Sequence, residues 1–141
     1  LYLIEAGANL ELRAAGGCTA LAFAAATGAR HVVRALVDAG AVVNVPDCEG
    51  FTPLMAAALC GDAYMVGVLL GAGADINAVT VTGLTPLMHG ASGGDLNSVR
   101  LLVEKGGDAT VRSTDGFQAV DYAGGCKSRD ADEVRVFFRM L

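Results

Sequence analysis

Charge is scarce in this chain: Asp, Glu, Lys and Arg make up only 18% of its 141 residues, while hydrophobic residues make up 53%. That balance excludes an intrinsically disordered polymer, because there is ample apolar surface to bury. Long uninterrupted apolar runs are also missing. None approaches the roughly 18 residues that a membrane span needs, so membrane insertion is not expected. Clustered positive charge is absent as well. The ten basic residues are scattered and the net charge is −5, which argues against a nucleic-acid partner, since phosphates demand several neighbouring cations. The four cysteines (Cys18, Cys48, Cys60, Cys126) contain no C-x-x-C pair, and the two histidines, His31 and His89, lie far apart. Neither set has metal-ligand spacing, so no metal or other cofactor is expected. There is no N-x-S/T site and no secretory signal with a basic n-region. The thiols are read as reduced, in an intracellular and cytoplasmic protein. The sequence opens with Leu1 inside an apolar periodic segment. It is therefore read as part of a longer polypeptide, which leaves room for a targeting segment outside it.

What the chain does have is repetition. Gly7-Ala8, Gly40-Ala41, Gly73-Ala74 and Gly106-Gly107 recur in steps of 33. A second signature recurs with the same step of 33: Gly17-Cys18-Thr19-Ala20-Leu21, Gly50-Phe51-Thr52-Pro53-Leu54, Gly83-Leu84-Thr85-Pro86-Leu87 and a worn copy at Gly116-Phe117-Gln118-Ala119-Val120. Two independent signatures in one register define a repeat protein. Thr52 and Thr85 are N-caps, with Pro53 and Pro86 at the first helical position, where a missing N–H is harmless. A short Ala-rich helix follows and ends at Gly28, Gly61 or Gly94, residues that adopt a left-handed conformation without strain. A second helix carries apolar residues at helical spacing: Val32, Val33, Leu36 and Val37, then Met65, Val66, Leu69 and Leu70, then Val99, Leu101, Leu102 and Val103. It stops at Gly40, Gly73 or Gly106, and an extended stretch leads to the next turn. One such unit cannot bury its apolar faces alone, but stacked neighbours can.

This pattern resembles the ankyrin repeat family, and the resemblance spans nearly the whole chain. It implies an all-α solenoid of stacked helix–turn–helix units joined by short hairpin-like turns. Residues 1–13 form a partial repeat, 14–46, 47–79 and 80–112 are full repeats, and 113–141 are a terminal repeat in one domain. About two extra residues fall between Lys127 and Asp132, from sliding the apolar pattern along the chain. There are departures. The family's Thr-Pro-Leu is followed by His, whereas Ala22, Met55, Met88 and Asp121 occupy that position here. The hydrogen bonds of that His are expected to be lost, with Met filling the space apolarly. Gly67 lies mid-helix at a cost of about 1 kcal/mol against Ala, and Gly90 replaces an expected Ala.

Candidate chemistry is sparse. Gly90-Ala91-Ser92-Gly93-Gly94 has the G-x-S-x-G spacing of a nucleophilic serine, but that chemistry needs a strand-to-helix turn and a later His. Both histidines precede it, so the segment is read as the end of a first helix. Gly124-Gly125-Cys126-Lys127-Ser128 lacks the Gly-Lys frame of a phosphate loop. Glu49, Asp62, Asp95 and Asp115 lie at turns or helix starts, where acids cap or are solvated. Cys18, Cys60 and Cys126 are read as small buried hydrophobes. No catalytic residue is assigned, and the chain is read as a non-enzyme.

One column has a second meaning. Cys18, Phe51, Leu84 and Phe117 follow the four turn glycines and line up along one edge. In ankyrin proteins, turn tips and first helices form a concave binding surface. The resemblance therefore implies that Phe51, Leu84 and Phe117 point from the tips beside Glu49, Val81, Thr82 and Asp115, with Ala26, Leu59, Cys60 and Ser92 on the adjoining helices. A row of large apolar side chains means either contact with a protein partner or packing of each tip on the next. The first reading gives a protein-interaction module. A second is a structural segment of a larger assembly or multidomain protein, and a third is a regulatory appendage of an enzyme.

Overall fold

The computed structural model describes residues 7–125 and 130–141. Leu1-Tyr2-Leu3-Ile4, and Cys126, Lys127 and Ser128 of the Gly-rich turn, lie outside them. The described residues form eight α-helices in four pairs. These are α1 (Ala20–Ala26) with α2 (Arg30–Asp38), α3 (Pro53–Cys60) with α4 (Ala63–Gly71), α5 (Pro86–Gly93) with α6 (Leu96–Glu104), and α7 (Ala119–Tyr122) with α8 (Ala131–Met140). The first helices α1, α3, α5 and α7 pack side by side as one layer, and the second helices form the other.

The helix starts are where the side chains dictate. The hydroxyls of Thr19, Thr52 and Thr85 accept from the backbone N–H of Ala22, Met55 and Met88, each at 3.3 Å. Asp62 caps α4 by accepting from Met65 N–H at 3.2 Å, and Asp95 caps α6 by accepting from Ser98 N–H at 2.9 Å. The His of the family motif is not missed completely. Thr52 N–H donates to Met55 Sδ at 3.5 Å, and Gln118 N–H donates to the Asp121 carboxylate at 2.8 Å. A thioether and a carboxylate thus close capping boxes where an imidazole was expected to be needed.

Between the layers, Leu21, Leu54 and Leu87 face Val33 and Leu36, Val66 and Leu69, and Val99 and Leu102, all buried. Each such side chain stabilises the stack by about 1.5–3 kcal/mol. Ala57, Ala58 and Ala91 are fully buried and let the first helices approach. Gly90 has a reason to replace Ala. A Cβ there would lie 3.0 Å from Leu102 Cδ1, so the missing methyl makes room for the leucine. At Gly67 an added Cβ would meet only Leu101 Cδ2 at 3.7 Å, and nothing in the packing requires glycine. The second helices begin at Arg30, Ala63, Leu96 and Ala131, steps of 33, 33 and 35. The two-residue offset therefore precedes Asp130, and buried Val134 continues the Val33–Val66–Val99 column.

Candidate partner-binding surface

Four tight turns project from the starts of the first helices. Each is closed by a backbone bond across its base: Ala14 N–H to Cys18 O, Asp47 to Phe51, Thr80 to Leu84 and Ser113 to Phe117, at 2.8–3.0 Å. Neighbouring tips are then stitched together. Cys48 N–H donates to Gly16 O at 2.9 Å, Val81 N–H to Glu49 O at 2.9 Å, and Thr114 N–H to Thr82 O at 3.0 Å. Gly50 shows why the turn position is glycine. Its φ is +82°, and an added Cβ would sit 3.1 Å from Thr80 Cα of the next tip.

The edge column is not uniformly exposed. Phe51 and Leu84 are half-buried against the core, whereas Phe117 is 51% exposed. Val81 is 71% exposed at its tip, and Glu49, Thr82 and Asp115 are exposed beside it. On the first helices, Leu59 is 44% exposed, Ala26 and Cys60 are exposed, and Ser92 is half-buried. Cys60 thus differs from the buried hydrophobe expected of it: as the last residue of α3 it leaves the layer just before Gly61 turns the chain. Cys18 is half-buried and Cys48 exposed.

Glu49, Phe51, Val81, Thr82 and Leu84 come together around one pocket of about 200 Å³, which Thr80 and His89 complete. The His89 ring meets the Phe51 ring edge-on, with centroids 5.0 Å apart and planes at 87°. Its Nε2 is buried and has no hydrogen-bond partner among the described residues. Burial lowers the His89 pKa from 6.5 to about 4, so the imidazole is neutral at neutral pH. The side chains of Thr80 and Thr82 pair with each other at 3.0 Å. At the last tip, Phe117 packs edge-on against Tyr122 with centroids 6.3 Å apart, and Tyr122 Oη donates to Ser113 Oγ at 3.0 Å.

Two members of this surface were missed from the sequence. His89 and Phe23 belong to the column Phe23–Ala56–His89–Tyr122, again in steps of 33. Phe23 is 65% exposed on α1 and lines a recess of about 430 Å³ with Leu12, Cys18 and Ala20. The same register that aligned the tips would have found them.

The remaining acids have structural partners. Asp62 pairs with Arg30 at 2.5 Å besides capping α4, and Asp95 also accepts from Ser98 Oγ at 2.6 Å. Ser92 lies in the last turn of α5, not on a strand-to-helix turn. Among the described residues, no three His, Cys, Asp or Glu side chains gather at metal-binding distance, and no helix is long and apolar enough to cross a membrane.

The architecture is that of a helical-repeat scaffold: two helix layers carrying a row of hydrogen-bonded tips. A family model described as ankyrin repeats in three copies matches residues 1–80, and one described as ankyrin repeats in many copies matches residues 64–103. The chain belongs to the ankyrin repeat family. No curated protein matches it. Ankyrin repeats are in general protein–protein interaction modules and are typically non-catalytic.

Proposed function

We propose that this chain is a non-catalytic module that holds a protein partner against its turn tips and first-helix surface. The observation that carries this reading is the set of exposed apolar side chains on a preorganised scaffold: Val81 and Phe117 on the tips, Leu59 and Phe23 on the helices. A preorganised backbone lowers the ordering cost of binding, and a few anchor side chains dominate most interfaces. In this reading Phe51 and Leu84 are pocket walls between tips. Glu49, Thr82 and Asp115 form the polar rim, and Cys60 and Ser92 form the helix side of the site.

The test begins with a photo-crosslinking residue at position 81 or 117, and at exposed Val32 of the second-helix layer as control. A partner trapped from the tips but not from position 32 is then titrated calorimetrically. Phe117→Ala and Val81→Ser are expected to weaken it at least about tenfold each, the scale of an anchor residue. Unchanged affinity in both variants overturns the site.

A further inference from the structure

A second surface lies in the other layer. Between α6 and α8 runs a groove of about 740 Å³. Its floor is apolar: Leu96 and Val103 from α6, Val136 and Phe137 from α8. Val136 is 53% exposed although it belongs to the middle of a helix. The seam between α2 and α4 is different. It encloses about 290 Å³, and beside the apolar Val37, Val68 and Ala72 it carries the charged Arg34 and Asp38, so it is smaller and its charges are balanced. The step to α8 is 35 residues, against 33 elsewhere, and the larger recess lies at this seam.

The rim of the groove is acidic. Glu104 of α6 and Asp132 and Glu133 of α8 line it, against one guanidinium, Arg100. That cation is already engaged 5.8 Å over the Phe137 ring. The two basic residues of α8, Arg135 and Arg139, do not line the groove, and Arg135 pairs with Asp132 at 3.4 Å. Among the described residues, Glu104 and Glu133 have no ion-pair partner. An apolar trough between two helices, edged by unpaired carboxylates, complements one kind of ligand: a helix with an apolar stripe flanked by Lys or Arg. The volume falls within the roughly 300–1,000 Å³ of sites that enclose a compact group of atoms, enough for a few side chains.

We infer that the α6–α8 groove is a docking site for a basic amphipathic helix of a protein partner, separate from the tip surface and independent of it. The apolar stripe lies on Leu96, Val103, Val136 and Phe137, and the flanking cations reach Glu104 and Glu133.

The test uses the whole chain and two labelled synthetic helices with the same leucine stripe, one flanked by Lys and one by Glu. In fluorescence anisotropy the Lys helix is expected to bind and the Glu helix not. Val136→Lys, at an exposed position, should weaken binding at least about tenfold, as should Glu104→Lys with Glu133→Lys; the double reversal should also admit the Glu helix. Circular dichroism confirms that each variant is folded. Failure of the Lys helix to bind, or equal binding by all folded variants, overturns the inference. So does self-association in sedimentation equilibrium that Val136→Lys abolishes, since the occupant is then a second copy of this chain. Phe117→Ala should leave this binding unchanged, so the two surfaces succeed or fail separately.

Discussion

Lowering the pH from about 7.5 to about 5 should destabilise this stack through His89. In the unfolded chain the imidazole has its ordinary pKa of 6.5, and in the fold burial lowers it to about 4. The unfolded state therefore binds the proton more tightly, and stability falls as pH drops through the window from 6.5 toward 4. Stability from this residue is fully present above 6.5. At about pH 5 the unfolded imidazole is about 97% protonated and the folded one about 10%, which corresponds to a loss of roughly 2 kcal/mol. Below pH 4 the ceiling is roughly 3.4 kcal/mol. Two neighbours reduce these figures. Glu49 lines the same pocket, and the Phe51 ring lies against the imidazole, so an imidazolium would meet a carboxylate and a π system. A loss of about 1–2 kcal/mol at pH 5 is the working expectation. Urea unfolding of the wild type and of His89→Gln at both pH values isolates it, because all other titrating groups are common to the two proteins. The variant should lose less stability on acidification by that amount. An equal loss in both proteins, or an NMR titration placing the folded His89 pKa above about 6, would refute the reasoning.

Two glycine substitutions should act in opposite directions. Gly67→Ala adds a methyl into ordinary contact distance and removes a helix penalty, so it should raise stability by about 0.5–1 kcal/mol. Gly93→Ala places a Cβ 2.6 Å from Leu59 O and 2.7 Å from Ala58 O, so α5 must move off α3. A loss of about 1–3 kcal/mol is expected, and thermal melts of both variants check the contrast. Asp62→Ala removes the α4 cap and the carboxylate that Arg30 reaches from the neighbouring repeat. It should lower stability by about 1–2 kcal/mol in urea titration, mostly through the lost cap, and Asp62→Asn should recover most of it.

The repeat architecture was legible because it is written twice, in the turn glycines and in the Thr-Pro-Leu starts. Caps at Thr52 and Thr85 and stops at Gly61 and Gly94 need only local chemistry. Less legible was anything decided between repeats. Met55 Sδ taking a backbone hydrogen bond depends on helix-start geometry, and Gly90 is explained only by the Leu102 side chain of the next helix. The tip residues were found as a column, but their depth was not. Phe51 has His89 of the next repeat to lean on, whereas Phe117 has Tyr122 of its own. Phe23 and His89 were overlooked since a column of Phe, Ala, His and Tyr shares no residue type. The α6–α8 groove depends on how side chains of two repeats meet, which composition does not report.

The three hydrogen bonds between neighbouring tips behave like the spine of a bound book. Short backbone bonds join the tips along that edge, while the helix layers behind it meet through side-chain packing and the Arg30–Asp62 pair. Bending of the stack is therefore expected as fanning of the pages, with the second-helix layer opening or closing and the spacing of Phe51, Val81 and Phe117 along the spine the better kept. A partner gripping the tips would meet a ruler of fixed gradation, and one wedged between α6 and α8 would work at the open margin, where a change in spacing would tilt the repeat of α7 and α8.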